Sequence, residues 1–386
     1  AGWTADRAVR EFGAMPLTTR EELEQDQLAH PPYGTNLTYP LDQYCRYHQT
    51  SGSGGRPLRI LDRAEDWRWW IDCWKTIYAA AGVGPDDRLL FPFSFGPFIG
   101  FWAAFESAVA MGILALPAGG MTTIARLEFL LANEATFICC TPTYALHMAE
   151  VAGERKIDLA ASMVRGLIVA GEPGGSIPAT RARIEQAWGA RVFDHAGMTE
   201  MGAYGFECVQ SPGGLHVNEA QFIEEVIDPK TLQPVEPGRR GELVLTNLGR
   251  WGSPLIRYRT GDEVIALRDH CACGRSFVRL EGGLLGRIDD MFIIRGNNVH
   301  PAAVEDILRQ FPAVVEYRLS VEHRGALSEL RIEIEPARGS EHGELSKKVA
   351  ESIASRLSFR PVVQCVEPGA LPRFEMKARR VIRGRD

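Results

Sequence analysis

Residues 47–57 combine hydroxyl side chains with glycines in a pattern that could hold phosphate groups. The hydroxyls belong to Thr50, Ser51 and Ser53, and the glycines are Gly52, Gly54 and Gly55. A chain without side-chain bulk can turn its N–H groups inward around phosphate oxygens, and hydroxyls add further donors. The sequence lacks the Lys-Ser/Thr pair of a Walker A loop, because Arg56 follows the last glycine. Taken alone, such a stretch is more typical of a plain loop than of a nucleotide site.

Two further stretches place a carboxylate beside a hydroxyl or a glycine. Thr199 and Glu200 belong to the stretch that follows the predicted strand and helix ending at Val192, and such a pair can hold Mg²⁺ together with a phosphate oxygen. Taken alone, the pair is more typical of a helix N-cap with an acidic first turn. Asp262 follows Gly261, where a carboxylate held by a glycine turn could accept both hydroxyls of a ribose. A simple hairpin turn is an equally good interpretation of that stretch.

Two polar stretches lie in the last hundred residues. Gly286–Val299 is rich in charged residues and asparagine and falls where two predicted domains meet. Pro372–Arg380 contains Lys377, for which a solvated basic tail is the default interpretation so close to a C-terminus. Each of these stretches is modest evidence of a site when it is considered alone.

The elements that must position these residues follow a strand–helix rhythm between residues 88 and 188. Predicted strands such as Thr136–Cys140 alternate with predicted helices such as Phe98–Met111, which indicates an α/β fold with a mainly parallel sheet covered on both faces. From Phe222 onward, short strands predict a β-rich lobe attached to the sheet. After Gly286 the order helix, strand, strand, helix, strand and polar tail predicts a small α+β domain. We therefore expect domains at 1–286 and 287–386.

Composition excludes several classes of function. The net charge is −6 with mixed signs along the chain, which argues against the basic face of a nucleic-acid-binding protein. No apolar run reaches the roughly 18 residues that a membrane span needs, and no leader segment is visible. Eight cysteines without such a leader argue against a disulfide framework. The sequence therefore predicts a cytoplasmic protein that binds neither nucleic acid nor membrane.

The order and spacing of the five stretches resemble the adenylate-forming superfamily, and more closely its phenylacetate–CoA ligase branch. The similarity begins at Met15–Leu23, continues through Thr141–Leu146 and Gly171–Pro173, and ends at the Lys377 loop. The resemblance implies a large N-terminal adenylate-forming domain and a mobile C-terminal domain. It also implies that ATP activates a carboxylic acid as an acyl-adenylate, whose acyl group then passes to coenzyme A.

The resemblance also implies a role for each matching residue. Thr50, Ser51, Gly52, Ser53, Gly54 and Gly55 would hold the β- and γ-phosphates, Gly171, Glu172 and Pro173 would line the adenine, and Asp194, His195 and Thr199 would complete the nucleotide site. Asp262 would bind the ribose, Arg287 the ribose or α-phosphate, and Glu200 the Mg²⁺, while Lys377 would act in catalysis with Glu200 and Thr199. Asp289 would be the hinge, and Gly296 and Asn297 would line the thiol tunnel. Ala196, Arg56 and Met376 depart from the family pattern, which usually has an aromatic residue, a lysine and a glycine there.

Cysteine and histidine residues suggest a separate metal site. Cys271 and Cys273 lie two residues apart, and Cys208 and His216 occur upstream. Two cysteines on a tight turn with a cysteine and a histidine from a neighbouring segment could form a tetrahedral Zn²⁺ site, and several relatives carry a similar arrangement. His270 competes with His216 as the fourth ligand, and four unrelated residues remain an alternative interpretation.

Aromatic residues suggest the acid. The predicted pocket consists of Phe95, Gly96, Phe98, Tyr144, Ala196 and Gly197. Such density suits a planar or arylacetic acid, although Phe and Trp on a helix are more often core packing. The expected partners are a small carboxylic acid, ATP and a thiol acceptor, with a homodimer possible. Two alternatives are open: adenylation for transfer to a carrier protein or an amine, and a non-catalytic nucleotide-binding homologue.

Overall fold

A computed structural model describes residues 7, 10–50, 56–294, 297–324, 327–375 and 377–383. Helices are labelled α and strands β in chain order. The helices are α1 Arg20–Ala29, α2 Ala64–Ala81, α3 Trp102–Ala110, α4 Thr123–Ala132, α5 Pro142–Glu154, α6 Pro178–Trp188, α7 Pro301–Arg309 and α8 His342–Leu357. The strands of the first part of the chain are β1 Arg46–Gln49, β2 Arg59–Asp62, β3 Arg88–Phe91, β4 Leu114–Pro117, β5 Phe137–Cys140, β6 Gly166–Val169, β7 Arg191–Met198, β8 Gly202–Cys208, β9 Ser211–Val217 and β10 Phe222–Ile227. Those of the second part are β11 Arg240–Asn247, β12 Tyr258–Leu267, β13 Arg279–Glu281, β14 Gly286–Arg287, β15 Phe292–Ile294, β16 Asn297–Val299, β17 Val314–Arg324, β18 Leu327–Pro336, β19 Val362–Cys365 and β20 Val381–Arg383.

One 12-stranded sheet forms the centre of the large domain, in the order β10-β11-β12-β13-β9-β8-β7-β6-β5-β3-β4, with β14 pairing to β12. The strands β4, β3, β5, β6 and β7 are parallel, and β5 and β6 are apolar along their whole length because both faces are covered. The predicted α/β class is therefore confirmed.

The β-rich part continues this sheet. β7 turns directly into β8 and pairs with it antiparallel, and the antiparallel strands that follow extend the same sheet to β10. A strand that returns through a short connection must run antiparallel to its neighbour, whereas the parallel strands need crossover segments. The predicted lobe is thus one edge of the central sheet, and it includes β8 and β9, which precede the predicted start at Phe222.

The predicted helix at Phe98–Met111 begins four residues later, at Trp102. Gly100 has a φ of +39°, which lies outside the helical region, so the chain before Trp102 forms a loop. The Phe95 and Phe98 side chains are half-buried on this loop. The late helix start therefore moves Phe98 from a helix to the irregular segment on which Phe95 also lies.

The small domain has its own core and a four-stranded sheet in the order β19-β18-β17-β20. The helices α7 and α8 bring apolar residues such as Val304 and Val349 into that core. The predicted polar tail is wrong in part, because residues 381–383 form β20, parallel to β17. This added strand fixes the chain just beyond Lys377 to the small domain. No helix among the described residues is long and apolar enough to cross a bilayer.

Buried and half-buried polar contacts hold the two domains together. Arg183 of α6 donates hydrogen bonds to the main-chain oxygens of Arg309 at 2.5 Å and Val314 at 2.9 Å, and to that of Phe311. Thr180 on the same helix donates to Glu305 of α7 at 3.1 Å. The small domain therefore packs on α6 with its C-terminal loop directed toward the edge where the parallel strands end.

Candidate active site

The connection between β7 and β8 presents Thr199 and Glu200. It is a hairpin connection, so the alternative interpretation as a helix N-cap is wrong. The buried guanidinium of Arg250 donates to the main-chain oxygens of Thr199 at 2.6 Å and Glu200 at 2.9 Å. Its other N–H groups pair with Asp62 at 2.6 and 2.7 Å. This fully buried ion pair fixes the turn, and the sequence motifs did not indicate either residue.

The Glu200 side chain is nearly buried and faces α1. Its Oε1 accepts a hydrogen bond from Arg20 at 2.8 Å, and Arg20 also donates to the Thr50 hydroxyl at 3.1 Å. Thr50 thus lies on the same side of the molecule as Glu200, as the motif order predicts. The predicted phosphate residues Ser51, Gly52, Ser53, Gly54 and Gly55 lie outside the described residues.

Asp262 and Arg287 are brought together by the pairing of β12 with β14. Arg287 Nη1 lies 3.7 Å from Asp262 Oδ1, and its Nε and Nη2 donate to the two carboxylate oxygens of Asp289 at 2.9 and 3.2 Å. Burial raises the pKa of Asp262 to about 6, against the opposing charges of Arg287 and Lys377. An acid that titrates near neutral pH in a buried position is typical of a functional site.

Lys377 reaches this site from the small domain. Gly171 has a φ of +95°, and a Cβ added to it would lie 3.6 Å from Lys377 Cε, so the lysine stem passes over the glycine. The positive charge is also close enough to lower the pKa of Asp262. The C-terminal lysine therefore lies over the Gly171–Pro173 motif, and its charge acts on Asp262.

Three neighbouring contacts hold the Lys377 loop. The N–H of Ala378 donates to Glu172 Oε2 at 2.6 Å, while Glu172 Oε1 accepts from the N–H of Thr143 at 2.9 Å. On the other side of the lysine, Glu375 pairs with Arg126 at 3.2 Å. The Glu172 carboxylate was predicted to line the adenine, and here both its oxygens bind main-chain N–H groups. Pro173 adjoins it in the same loop.

Asp194 and His195 lie on β7, where Asp194 is half-buried and His195 is buried. Asp194 accepts a hydrogen bond from Ser176 at 2.5 Å, and burial raises its pKa to about 6. His195 Nδ1 donates to the main-chain oxygen of Gly205 at 2.6 Å, and burial lowers its pKa to about 4. A neutral imidazole fixed in this way keeps Nε2 as an acceptor.

The predicted acid-pocket residues divide into three groups. Phe95 stacks edge-on against Trp102 and Phe105, with ring centroids 4.7 and 5.3 Å away. Gly96 and Phe98 adjoin it on the loop, while Ala196 and Gly197 lie on β7. Tyr144 is fully buried in a core cluster, with its hydroxyl bonded to Arg126 at 2.6 Å. In this arrangement the Tyr144 side chain is part of the packing between α4 and α5.

The predicted zinc ligands converge at the edge of β8 and β9. One ligand atom from each of Cys208, His216, Cys271 and Cys273 lies within 4.8 Å of all the others. The Cys208 and Cys271 sulfurs are 3.7 Å apart, against about 3.8 Å expected for two sulfurs on a tetrahedral Zn²⁺. His216 Nδ1 is 3.4 Å from the main-chain oxygen of Phe277, which leaves Nε2 toward Cys273 at 3.6 Å. Of the two candidate histidines, His216 belongs to this cluster and His270 is exposed.

Residues predicted for the thiol tunnel lie at the start of the small domain. Asn297 is in β16, paired with Ile294 of β15, and Gly296 lies outside the described residues. Asp289, the predicted hinge, occupies the turn that follows β14, where the large sheet ends. Its bonds to Arg287 connect this turn to the Asp262 site.

The sequence model of the AMP-binding enzyme family matches residues 17–249, and that of the AMP-binding enzyme C-terminal domain matches residues 296–385. The chain is 30% identical to a phenylacetate-coenzyme A ligase of Thermus thermophilus, over 97% of this chain and 88% of that protein. It is also 30% identical to a phenylacetate-coenzyme A ligase of Escherichia coli, over 97% of this chain and 86% of that protein.

Two crystal structures of one relative differ in their likeness to this chain. The 2-hydroxyisobutyryl-CoA ligase in its postadenylation state, with an acyl-AMP bound, superposes with a TM-score of 0.91 at 32% identity, covering 96% of this chain and 80% of that chain. The same ligase with acyl-AMP and CoA in the thioesterification state gives a TM-score of 0.70 at 32% identity, covering 95% of this chain and 80% of that chain. The relative position of the two domains described here therefore resembles the first state.

Proposed function

Since this chain belongs to the AMP-binding enzyme family and is an AMP-forming acid–thiol ligase, we propose that it activates a small aromatic carboxylic acid and transfers the acyl group to coenzyme A. The family membership confirms the prediction made from the five ordered motifs. In the first step the carboxylate attacks the α-phosphorus of ATP, an acyl-adenylate forms and pyrophosphate leaves. In the second step the CoA thiol attacks the acyl carbon and AMP leaves.

The position of Lys377 over Gly171, with its charge acting on Asp262, is the observation that carries this proposal. Both the attacking carboxylate and the α-phosphate are anions, so a cation between them offsets their repulsion as the bond forms. In the proposed arrangement Lys377 supplies that cation, and Asp262 accepts the ribose hydroxyls. Arg287 then lies beside the ribose or the α-phosphate.

The Glu200 carboxylate and the Thr199 hydroxyl fit a hard divalent cation, because both offer oxygen ligands from a turn fixed by Arg250. Mg²⁺ held there would offset the charge of the leaving phosphates. Glu200 supplies one carboxylate to the cation. The phosphates of ATP and water molecules would provide its other ligands.

Aromatic residues near the ends of the parallel strands support an aryl acid. Phe93, Phe95 and Trp102 form an edge-to-face cluster on the loop before α3. Trp74 continues the aromatic surface toward β7, where its ring centroid lies 4.5 Å from that of His195. The names of the curated phenylacetate–CoA ligase relatives agree with a planar acid, whereas the 2-hydroxyisobutyryl-CoA ligase indicates that similar chains also serve a short hydroxy acid.

Transfer to CoA requires the small domain to rotate after the adenylate has formed. The chain superposes better on the postadenylation state of one relative than on its thioesterification state, which supports this movement. We assign the pivot to Asp289, which lies in the turn after β14. The thiol path is assigned to Gly296 and Asn297 on the motif match alone. A few residues at an element end can absorb such a rotation.

The sulfur and nitrogen ligands near β8 and β9 fit a structural zinc ion. Cys208, Cys271, Cys273 and His216 form a closed donor set, and the Phe277 oxygen fixes the tautomer of the histidine. Zinc in this position would tie the irregular segment before β13 to the hairpin β8–β9. It takes no part in the proposed chemistry.

A pyrophosphate-release screen tests the function. Phenylacetate, benzoate and 2-hydroxyisobutyrate would be compared at equal concentrations, each with and without CoA, while AMP and thioester are followed. We expect the aryl acids to give the higher kcat/KM and AMP to accumulate only with CoA. Equal or higher kcat/KM for 2-hydroxyisobutyrate contradicts the aromatic assignment. AMP release that depends on an amine or a carrier protein instead of CoA contradicts the acceptor.

A further inference from the structure

His195 is a buried histidine of β7 with one ring nitrogen that the surrounding protein leaves unpaired. The residue is only 7% exposed, and its Nδ1 donates to the main-chain oxygen of Gly205 at 2.6 Å. Among the described residues Nε2 has no hydrogen-bond partner, and it is not one of the polar atoms enclosed away from solvent. Buried polar groups are nearly always hydrogen-bonded, so this nitrogen is a candidate binding group.

The two faces of β7 separate His195 from the loop predicted to line the adenine. Successive side chains of a strand point to opposite faces of the sheet. On one face, Asp194 accepts a hydrogen bond from Ser176, which lies in the loop after Gly171–Pro173. On the other face, the His195 ring centroid lies 4.5 Å from that of Trp74 in α2. The histidine ring therefore lies on the side of the strand away from the predicted adenine loop.

A run of aromatic rings connects His195 with the predicted acid pocket. Beyond Trp74, ring centroids are 6.1 Å apart for Trp74 and Phe101, 5.9 Å for Phe101 and Phe93, and 5.4 Å for Phe93 and Phe95. Phe95 belongs to the predicted pocket and lies on the loop before α3. His195 is thus a polar group at the end of an aromatic wall, and ligand pockets commonly combine such a wall with a few polar groups that fix the orientation of the ligand.

Gly197, two residues further along β7, leaves the approach to Nε2 open. It is exposed, and a Cβ added to it would lie 3.2 Å from His195 Nε2. A larger side chain at this position would therefore cover the nitrogen. Gly197 is itself one of the residues predicted for the acid pocket, so Nε2 lies beside a place where the acid is expected.

The protonation state of the ring determines which groups Nε2 can bind. Burial lowers the pKa of His195 to about 4, so the ring is neutral at neutral pH and Nε2 carries a lone pair. Such an acceptor cannot pair with the carboxylate of the acid, which also only accepts hydrogen bonds. It can bind an O–H or N–H donor. A hydroxyl or amino group on an aromatic ring offers this donor together with a flat apolar surface that suits the wall.

We propose that the acid is an aryl acid with a hydroxyl or amino group on its ring, and that this group donates a hydrogen bond to His195 Nε2. The inference rests on the proposed function and narrows its substrate class. An acid without the donor leaves Nε2 unpaired, and a site that binds a polar group discriminates against the analogue that lacks it. His195 is therefore a specificity-determining residue.

Two other roles for His195 have different consequences. A purely structural histidine would tie β7 to β8 through Gly205, and its loss would slow the reaction of every acid by the same factor. A histidine that accepted the adenine amino group would weaken the binding of every adenine nucleotide. Only a contact with the acid changes the ratio of kcat/KM between acids that differ in one hydrogen-bond donor.

The test measures pyrophosphate release with phenylacetate and with its ring-hydroxylated, ring-aminated and ring-fluorinated isomers. Fluorine is close to a hydroxyl in size and donates no hydrogen bond. For the wild type we expect one hydroxyl or amino isomer to exceed its fluoro counterpart about tenfold or more in kcat/KM, and the responding isomer identifies the donor and its ring position. His195→Leu should reduce this ratio about tenfold or more, whereas His195→Gln, which retains an acceptor oxygen, should keep part of it. His30→Leu, the same change at an exposed histidine, should leave the ratio at the wild-type value.

Three results overturn the role of His195 while the proposed function stands. One is a wild type that uses fluoro acids as well as every hydroxyl and amino isomer. Another is an unchanged ratio in His195→Leu. The third is that same unchanged ratio with weaker AMP binding by calorimetry, which assigns the nitrogen to the nucleotide. If His195→Leu does not fold, His195→Gln decides by the same ratio. A wild type that releases no pyrophosphate with any of these acids overturns the proposed aryl-acid function together with this inference.

Discussion

At the scale of single residues, Asp262 links nucleotide binding to pH. In its proposed role the carboxylate accepts both ribose hydroxyls when it is ionised, and burial raises its pKa to about 6. Above that pH the ionised carboxylate can accept both hydroxyls. Below that pH the bound proton removes acceptor capacity, so the affinity for the nucleoside falls as the pH falls. Adenosine is the suitable probe because it has no phosphate that titrates in the same range.

We predict that adenosine affinity of the wild-type protein falls about tenfold between pH 7 and pH 5, as expected for one group of this pKa. Asp262→Asn should bind weakly and without this pH dependence when measured by the same competition assay. Burial raises the pKa of Asp194 to a similar value, so Asp194 is the other group in the site that could produce the same pH dependence. If the adenosine affinity of Asp262→Asn still falls as the pH is lowered, the titrating group is another residue, and the ribose role of Asp262 is contradicted.

The sequence indicated the residues of the site whose chemistry is visible in short motifs. Glu200 stands beside a hydroxyl and Asp262 beside a glycine, whereas Lys377 was indicated only by the order of the motifs. Arg250 could not be found in this way, because its role depends on a buried pairing with Asp62, 188 residues away. The contacts of Glu172 with the Lys377 loop likewise depend on how the two domains meet.

At the scale of elements, the cysteine–histidine cluster determines how the segment between β12 and β13 is held. Residues 268–278 contain little regular structure, and Cys271 and Cys273 lie within them. Cys208 and His216 come from β8 and β9, whose hairpin belongs to the central sheet. A metal that joins these four would restrain the segment more than its few main-chain hydrogen bonds do.

We predict that the purified protein contains zinc in a ratio of about one per chain, and that Cys271→Ser loses it and lowers the Tm by about 5 °C or more. Elemental analysis and a thermal scan measure the two quantities, and a strong chelator should reproduce the loss in the wild type. Cys45→Ser is the control, since Cys45 is exposed and outside the cluster. A metal-free wild-type protein with the same Tm as Cys271→Ser would show that the four residues are packed without an ion.

Sequence patterns located most elements and misplaced those whose limits depend on tertiary contacts. The apolar strands β5 and β6 were clear because both of their faces are buried. The start of α3 was misplaced because the left-handed Gly100 is not visible in the hydrophobic pattern. β20 was missed because its three residues lie among arginines and form a strand by pairing with β17.

At the scale of the whole molecule, the proposed domain rotation implies that the position of the small domain decides which half-reaction the site performs. Arg373 precedes the Lys377 loop and connects the two domains. It pairs with Glu150 of α5 in the large domain at 2.9 Å and with Glu335 of β18 in the small domain at 2.7 Å. The bond to Glu335 moves with the small domain, whereas the bond to Glu150 belongs only to the position seen here.

We predict that Glu150→Gln favours the second half-reaction over the first. The pair is partly exposed, so its loss should weaken the present domain position by about 0.5–1 kcal/mol, which corresponds to a roughly two- to fivefold change in population. Single-turnover adenylation should slow by about that factor. Thioester formation from supplied acyl-adenylate and CoA should stay the same or become faster.

Opposite effects on the two half-reactions identify a shift in domain position, because local damage to the large domain would slow both. Glu154→Gln is the matched control, since Glu154 lies at the exposed end of the same helix and the charge change is identical. It should leave both rates at the wild-type value. Equal slowing of both half-reactions in Glu150→Gln, or no change in either, contradicts a role of the Arg373–Glu150 pair in holding the adenylation position. The sign of the two changes, rather than their size, therefore decides whether this ion pair governs the alternation of the small domain.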